Sequence, residues 1–242
     1  MAQIGYGYGS EFQLLRFLGH HRNLFEKNIQ ETLHQEGEFN WLDFEFADPG
    51  NVISGDSERK GLTWLKEILY DDTIYTKIDS AYKSYKINNA DAWQNWDALF
   101  TLNGVLYLVE AKAHVGEIKS GHIKHGGKSA GEILRFMKEQ LPNIAVSEKW
   151  LYDYYQLANR LAITSLINKY IPCKTLCVYF ENGYSRRTLV GKDMIVEMEN
   201  KNASKEDFII AIAKEMAELD ISEEQVKDLL APPVFVNASP LK

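Results

Sequence analysis

The chain has 242 residues, and 27 Lys and Arg against 34 Asp and Glu give a formal charge of −7. With 45% apolar and 25% charged residues it has the composition of a folded protein with a sizeable core, which excludes a disordered, collagenous or disulfide-scaffold chain. The acidic balance argues against bulk attraction to nucleic acid, so any such affinity must be concentrated in a local patch.

Met1 to Gly5 lacks the basic and apolar regions of a secretory signal, so a cytoplasmic location is expected. Ser10-Glu11-Phe12-Gln13 fits a capping box, with the Ser10 hydroxyl on the Gln13 amide. Phe12, Leu15, Leu18, Phe25, Ile29 and Leu33 then follow at near-helical spacing, predicting one long helix or two consecutive ones ending near Gly37. Asp48-Pro49-Gly50 and Ser54-Gly55-Asp56 are turns, and Gly61 to Tyr70 has the pattern of a short amphipathic helix. Residues 73–87, opening on Thr73, Ile74, Tyr75 and Ile78, read as an extended segment. Trp93 to Leu102 and Val105 to Ala111 are rich in aromatic and branched residues and are joined by Asn103-Gly104, the strongest short signal for a two-residue hairpin.

A glycine-rich basic loop follows at 114–131, inside the most basic stretch of the chain, with Lys119, Lys124 and Lys128 as candidate phosphate contacts. Within it, His122 to Ser129 only superficially resembles a phosphate loop, because the first glycine position is His122 and the preceding strand ends too early. Glu132 to Gln140 is a predicted helix stopped by Pro142, and Ser147 starts another that ends before Pro172. Lys174 to Phe180 is a dense apolar strand expected in the interior of a mixed sheet. Cys173 and Cys177 are too few for a disulfide framework or a four-cysteine zinc site, and read as reduced core residues. Lys205 to Leu219 and Ser222 to Leu230 read as two helices. The longest apolar run, Phe208 to Ala213, is far short of the ~20 residues of a membrane span. The expected organisation is a domain over residues 1–200 with a helical extension, 201–242, packed on it.

The hairpin carries a geometric consequence. If Asn103 and Gly104 form the turn, Leu102 pairs with Val105 and Asp97 falls opposite Glu110, with Lys112 on the same face. Two opposed carboxylates destabilise a strand pair. A divalent cation held by Asp97, Glu110 and the Ala111 carbonyl would offset that cost, in a hard oxygen shell suited to Mg²⁺. Spacing alone leaves a solvated salt-bridge face equally open.

The run Trp96-Asp97-Ala98-Leu99-Phe100, followed by Tyr107-Leu108-Val109-Glu110-Ala111-Lys112, resembles the core of the PD-(D/E)XK nuclease superfamily, the restriction-endonuclease-like fold. In that pattern an Asp on the second core strand precedes a hydrophobic strand ending in Glu-x-Lys; Asp97 matches the Asp, and Glu110 and Lys112 the Glu-x-Lys. The resemblance implies an α/β fold with a mixed central sheet flanked by helices, in the core order αβββαβ across residues 10–183. It implies a Mg²⁺-dependent nuclease, with Mn²⁺ as substitute, acting on phosphodiesters, DNA first. Asp97, Glu110 and Lys112 are then the catalytic candidates. Many members add an acid on the first helix, for which Glu11 is the candidate, ahead of Glu58, Glu67 and Glu26. They also add a Gln or Tyr on the second. Tyr152, Gln156 and Arg160, spaced by four, are expected to share that helix face, with Gln156 near the metal and Tyr152 and Arg160 toward nucleic acid. The other reading is an inactive domain of this fold serving as a nucleic-acid-binding or scaffold module. No membrane partner is expected, and a homodimer is left open.

Overall fold

The Asn103-Gly104 turn organises the sheet. Both residues take positive φ, 50° and 77°, as a tight hairpin turn matched to strand twist requires, and Leu102 pairs with Val105 as expected. The computed structural model describes residues 9–42, 59–69, 71–85, 87, 95–119, 129–190, 195–200 and 202–239, with backbone alone at 59–60, 185–190 and 195–200. It shows a mixed α/β architecture around a five-stranded sheet.

The strands of that sheet are β1 (Asn40–Trp41), β4 (Ala98–Leu102), β5 (Val105–Lys112), β6 (Cys173–Glu181) and β9 (Val234–Asn237), in that spatial order. The first two pairings are antiparallel and the last two parallel, so β6 lies in the interior of a mixed sheet. Two small antiparallel pairs accompany it: β2 (Arg59–Lys60) with β3 (Asn95–Trp96), and β7 (Ser185–Val190) with β8 (Ile195–Asn200).

Side chains alternate across the sheet. Helices α1 (Ser10–His20) and α2 (Arg22–Leu33) cover one face, where Phe17, Phe25 and Ile29 join Tyr107, Val109, Val178 and Phe180 in one core cluster. The opposite face carries Leu106, Leu108, Cys177 and Tyr179 under α5 (Ala130–Gln140), α6 (Tyr155–Asn168) and α7 (Lys205–Glu218). Helices α3 (Leu65–Ile68), α4 (Asp72–Lys83) and α8 (Glu223–Val226) complete the set among the described residues. Among the described residues no helix is long and apolar enough to cross a membrane.

Four local expectations are corrected. Residues 72–83 form helix α4, not an extended segment. Asp71 caps it by accepting the Thr73 amide at 2.7 Å, and the buried Ile78 and Tyr82 lie one turn apart, a helical spacing that outweighs the branched residues' preference for strands. The first strand is instead β1, whose Trp41 packs 4.6 Å from the Phe100 ring. Helix α1 is not capped by Ser10: Gly9 holds that position, with φ 90°, and Gln13 turns inward to donate Nε2 to the Gly183 carbonyl at 3.1 Å. The C-terminal segment also supplies a strand. Val234 and Val236 are buried with Phe235 between them, a period-two pattern that sets β9 beside β6.

Candidate functional site

Asp97 marks the place where the hairpin comes apart. The ladder between β4 and β5 runs from Leu102–Val105 to Ala98–Val109 and stops there; the next residues back, Trp96 and Asn95, pair with Arg59 and Lys60 instead. Trp96 is fully buried, and its indole donates to the Gly61 carbonyl at 3.2 Å. This diversion leaves the Ala111 amide without a strand partner, and the Asp97 carboxylate takes it, Oδ2 accepting at 2.6 Å. A strand residue presents its N–H and C=O to the same edge, so the Ala111 carbonyl faces the same gap as Asp97.

Glu110 and Lys112 stand on the α6 face of β5, as the hairpin arithmetic requires, but they are not solvated. Glu110 is 4% exposed. Lys112 Nζ donates to Glu110 Oε1 at 2.5 Å and to Gln156 Oε1 at 2.8 Å. Arg160 Nε donates to Glu110 Oε2 at 2.9 Å, while its Nη2 reaches the Asn95 carbonyl at 2.6 Å and its guanidinium lies over the Trp96 ring, 4.5 Å from the centroid. Both oxygens of Glu110 are therefore held by cations, and Arg160 also fastens β3 where it leaves the sheet.

The electrostatics follow from burial. Desolvation, and then the Glu110 charge, push the Asp97 carboxyl well above the usual carboxylate range. Burial works against the Glu110 charge too, but Lys112 and Arg160 outweigh it and hold its pKa below the ordinary value. For Lys112, burial opposes the ammonium, and Glu110 and Asp97 more than compensate, raising its pKa. The cluster thus holds two carboxylates of opposite tendency beside one ammonium.

The remaining candidates divide. Gln156 and Arg160 lie one turn apart on α6 and both reach the cluster. Tyr152 does not share their face: α6 begins only at Tyr155, and Tyr152 sits in the turn after a 3₁₀ segment, Glu148–Leu151, anchored by the Trp150 indole on the Leu219 carbonyl at 3.0 Å. Glu11 occupies the first turn of α1. That turn reaches the carboxyl ends of β5 and β6, where a Cβ on Gly9 would lie 3.8 Å from Glu117 Oε1. Lys119 is exposed and pairs with Asp153 at 3.3 Å, a contact worth under about 1 kcal/mol. Glu26 accepts the Trp41 indole at 2.8 Å on the other face of the sheet, and Glu67 lies on the short helix α3. Lys124, Lys128 and Glu58 lie outside the described residues.

Two acids near the cluster were not anticipated. Glu117 accepts the Ala113 amide at 2.6 Å and helps raise the Lys112 pKa. Glu215 comes from α7 and lines a cavity of about 20 Å³ with Glu110, Lys112 and Gln156. The sequence does carry a signal for Glu215: it falls on the stripe of Phe208, Ile212 and Leu219, an acid in a run of core positions. Burial, opposed by Lys112 and reinforced by Glu110, pushes its pKa from 4.5 up to about 8. The folded chain thus keeps a proton there that the unfolded chain releases near pH 4.5, so this group's contribution to stability falls as pH rises from about 4.5 to about 8 and levels off above. Glu215→Gln is expected to remove that component and to exceed the parent at pH 8.5 by up to about 5 kcal/mol. Urea unfolding of both proteins across this range checks it, and parallel pH profiles would contradict it.

The donor set fits a hard divalent cation. Asp97, Glu110 and the Ala111 carbonyl are all oxygen ligands, and a cation would relieve the opposition between the two carboxylates. Among the described residues no three His, Cys, Asp or Glu side chains converge; the further oxygen donor beside the two carboxylates is the Ala111 backbone carbonyl. No family model, curated protein or solved structure matches this chain.

Proposed function

We propose that this chain is a metal-dependent nuclease with a restriction-endonuclease-like core, hydrolysing phosphodiester bonds, DNA first. The observation that carries the reading is the Asp97 carboxylate held on the Ala111 amide beside Glu110 and Lys112. The element order supports it: α1 and α2, three antiparallel strands β1, β4 and β5, helix α6, then β6 parallel to β5 follow the αβββαβ sequence that the resemblance implies.

Asp97, Glu110 and the Ala111 carbonyl would hold Mg²⁺ or Mn²⁺, which when bound polarises a phosphoryl oxygen and acidifies water. Lys112 supplies a fixed positive charge for the phosphate as negative charge develops on it, and Gln156 positions that ammonium at 2.8 Å. Arg160, engaged with Glu110, Asn95 and Trp96, positions Glu110 and not the nucleic acid.

A panel of end-labelled single- and double-stranded DNA and RNA, with Mg²⁺, Mn²⁺ or chelator, tests the reading. Cleavage is expected with metal only, and Lys112→Met is expected to reduce it by about 10²-fold or more, the loss typical of one charge-stabilising group. A parental rate in that variant would remove Lys112 from the chemistry.

One observation favours a second reading, an inactive domain of this fold that binds nucleic acid or serves as a scaffold. Both Glu110 oxygens are engaged by cations, which makes the cluster self-sufficient as a structural ion-pair network. Nucleic-acid binding without cleavage, and without any effect of metal on stability, would establish it.

A further inference from the structure

A second and larger cavity, about 420 Å³, lies between α7, α8 and β6, within the roughly 300–1,000 Å³ typical of small-molecule sites. Its walls are mostly apolar, with Leu157, Ile212, Met216, Val226, Leu230 and Pro233 among them. The buried polar groups in this wall are the Glu215 carboxyl, 5% exposed, and the Tyr179 phenol and Cys177 thiol, which engage each other; no hydrogen bond or ion pair to the Glu215 carboxyl is found among the described residues.

We propose that this cavity binds a small uncharged molecule, mostly apolar in body and ending in an amide, that pairs with the Glu215 carboxyl. A buried polar group without a partner costs ~1–3 kcal/mol, and no hydrogen bond among the described residues offsets it. Burial keeps Glu215 largely protonated at neutral pH. The neutral acid presents one donor and one acceptor side by side, which match the carbonyl and N–H of an amide in a two-point pair. An apolar body satisfies the walls, and an uncharged head avoids burying a new charge. The other charged groups at the cavity, Lys174, Lys227 and Glu223, retain exposure. Two of them are already engaged: Lys174 donates to the Lys227 carbonyl at 3.0 Å, and Lys227 pairs with Glu224. Selection by an anionic head at the mouth therefore has less to recommend it than selection at Glu215. The inference does not rest on the nuclease reading.

Benzamide is the probe, with toluene and benzylamine as controls of similar shape that lack the amide or carry a charge, each titrated onto the full chain by ligand-detected NMR at pH 7. Benzamide is expected to bind about tenfold more tightly than either control. Glu215→Leu should bring benzamide to the level of toluene. Glu215→Gln, which keeps a donor and an acceptor, should stay within about threefold of the parent. Ile212→Trp should block the cavity to all three while leaving the fold intact by circular dichroism. Equal binding of the three probes, a preference for benzylamine, benzamide binding unchanged in Glu215→Leu, or no binding of any probe would overturn the proposal.

Discussion

Asp97→Asn is expected to yield a protein that is more stable than the parent and inactive toward phosphodiesters. The amide oxygen can still accept the Ala111 N–H that Asp97 Oδ2 accepts at 2.6 Å, so the break between β3 and β4 keeps its fastening. What disappears is a charge that burial and Glu110 both oppose. A carboxyl whose pKa is raised by folding contributes stability below its unfolded pKa and loses it as pH rises through the folded one. At neutral pH the Asp97 charge is therefore a cost, and each pKa unit of elevation is worth about 1.4 kcal/mol. A divalent cation should do for the parent what the substitution does permanently. At a hundred times its dissociation constant it adds about 2.7 kcal/mol, or some 5–10 °C in Tm for a chain of this length, and it should add nothing to Asp97→Asn. Thermal melts of chelator-stripped samples with and without Mg²⁺, run beside the cleavage assay, check both halves. A variant that gains stability but still cleaves at the parental rate would assign Asp97 to structure alone.

Arg160→Ala is expected to be the most destabilising single change in the cluster. It leaves Glu110 Oε2 buried without its partner, removes the guanidinium from the Trp96 ring and frees the Asn95 carbonyl. Breaking one side of a buried ion pair costs about 3–5 kcal/mol, which for a chain of this size lowers Tm by roughly 6–20 °C. Arg160→Lys should recover only part of the loss, because an ammonium has neither the planar fork nor the stacking surface. Glu110→Gln in the Arg160→Ala background should recover more, since it removes the stranded charge. A double-mutant cycle over these positions is therefore expected to show a coupling of about 1–3 kcal/mol. Additive losses would mean that Arg160 acts on β3 through Trp96 and Asn95 and not on Glu110.

Several features of this protein were decided by the sequence itself. Asn103-Gly104 dictates a two-residue turn, the turn dictates the register Leu102–Val105, and strand periodicity then puts Glu110 and Lys112 on one face with Val109 and Ala111 on the other. Each step is local, so it can be read without knowing the rest of the fold. The two helices before Gly37 and the buried β6 strand were legible for the same reason. The tertiary structure alone decided whether the charged face would be wet or dry. Arg160 reaches Glu110 across 50 residues, and Glu215 arrives from a helix whose order in the chain says nothing of its place against β6. The departure of β3 at Asp97 depends on the Gly61 carbonyl, which takes the Trp96 indole. The extended reading of 73–87 gives way to a helix over Asp72–Lys83 because branched residues favour a strand while burial of Ile78 and Tyr82 one turn apart favours a helix, and only the surface they pack against settles that competition. β1 and β9 are two- and four-residue strands; β1 is too short to alternate at all, and the single alternation of Val234, Phe235 and Val236 is too brief to distinguish a strand from a loop by sequence alone. They exist because neighbouring strands offered them unpaired backbone, a condition set by the assembled sheet.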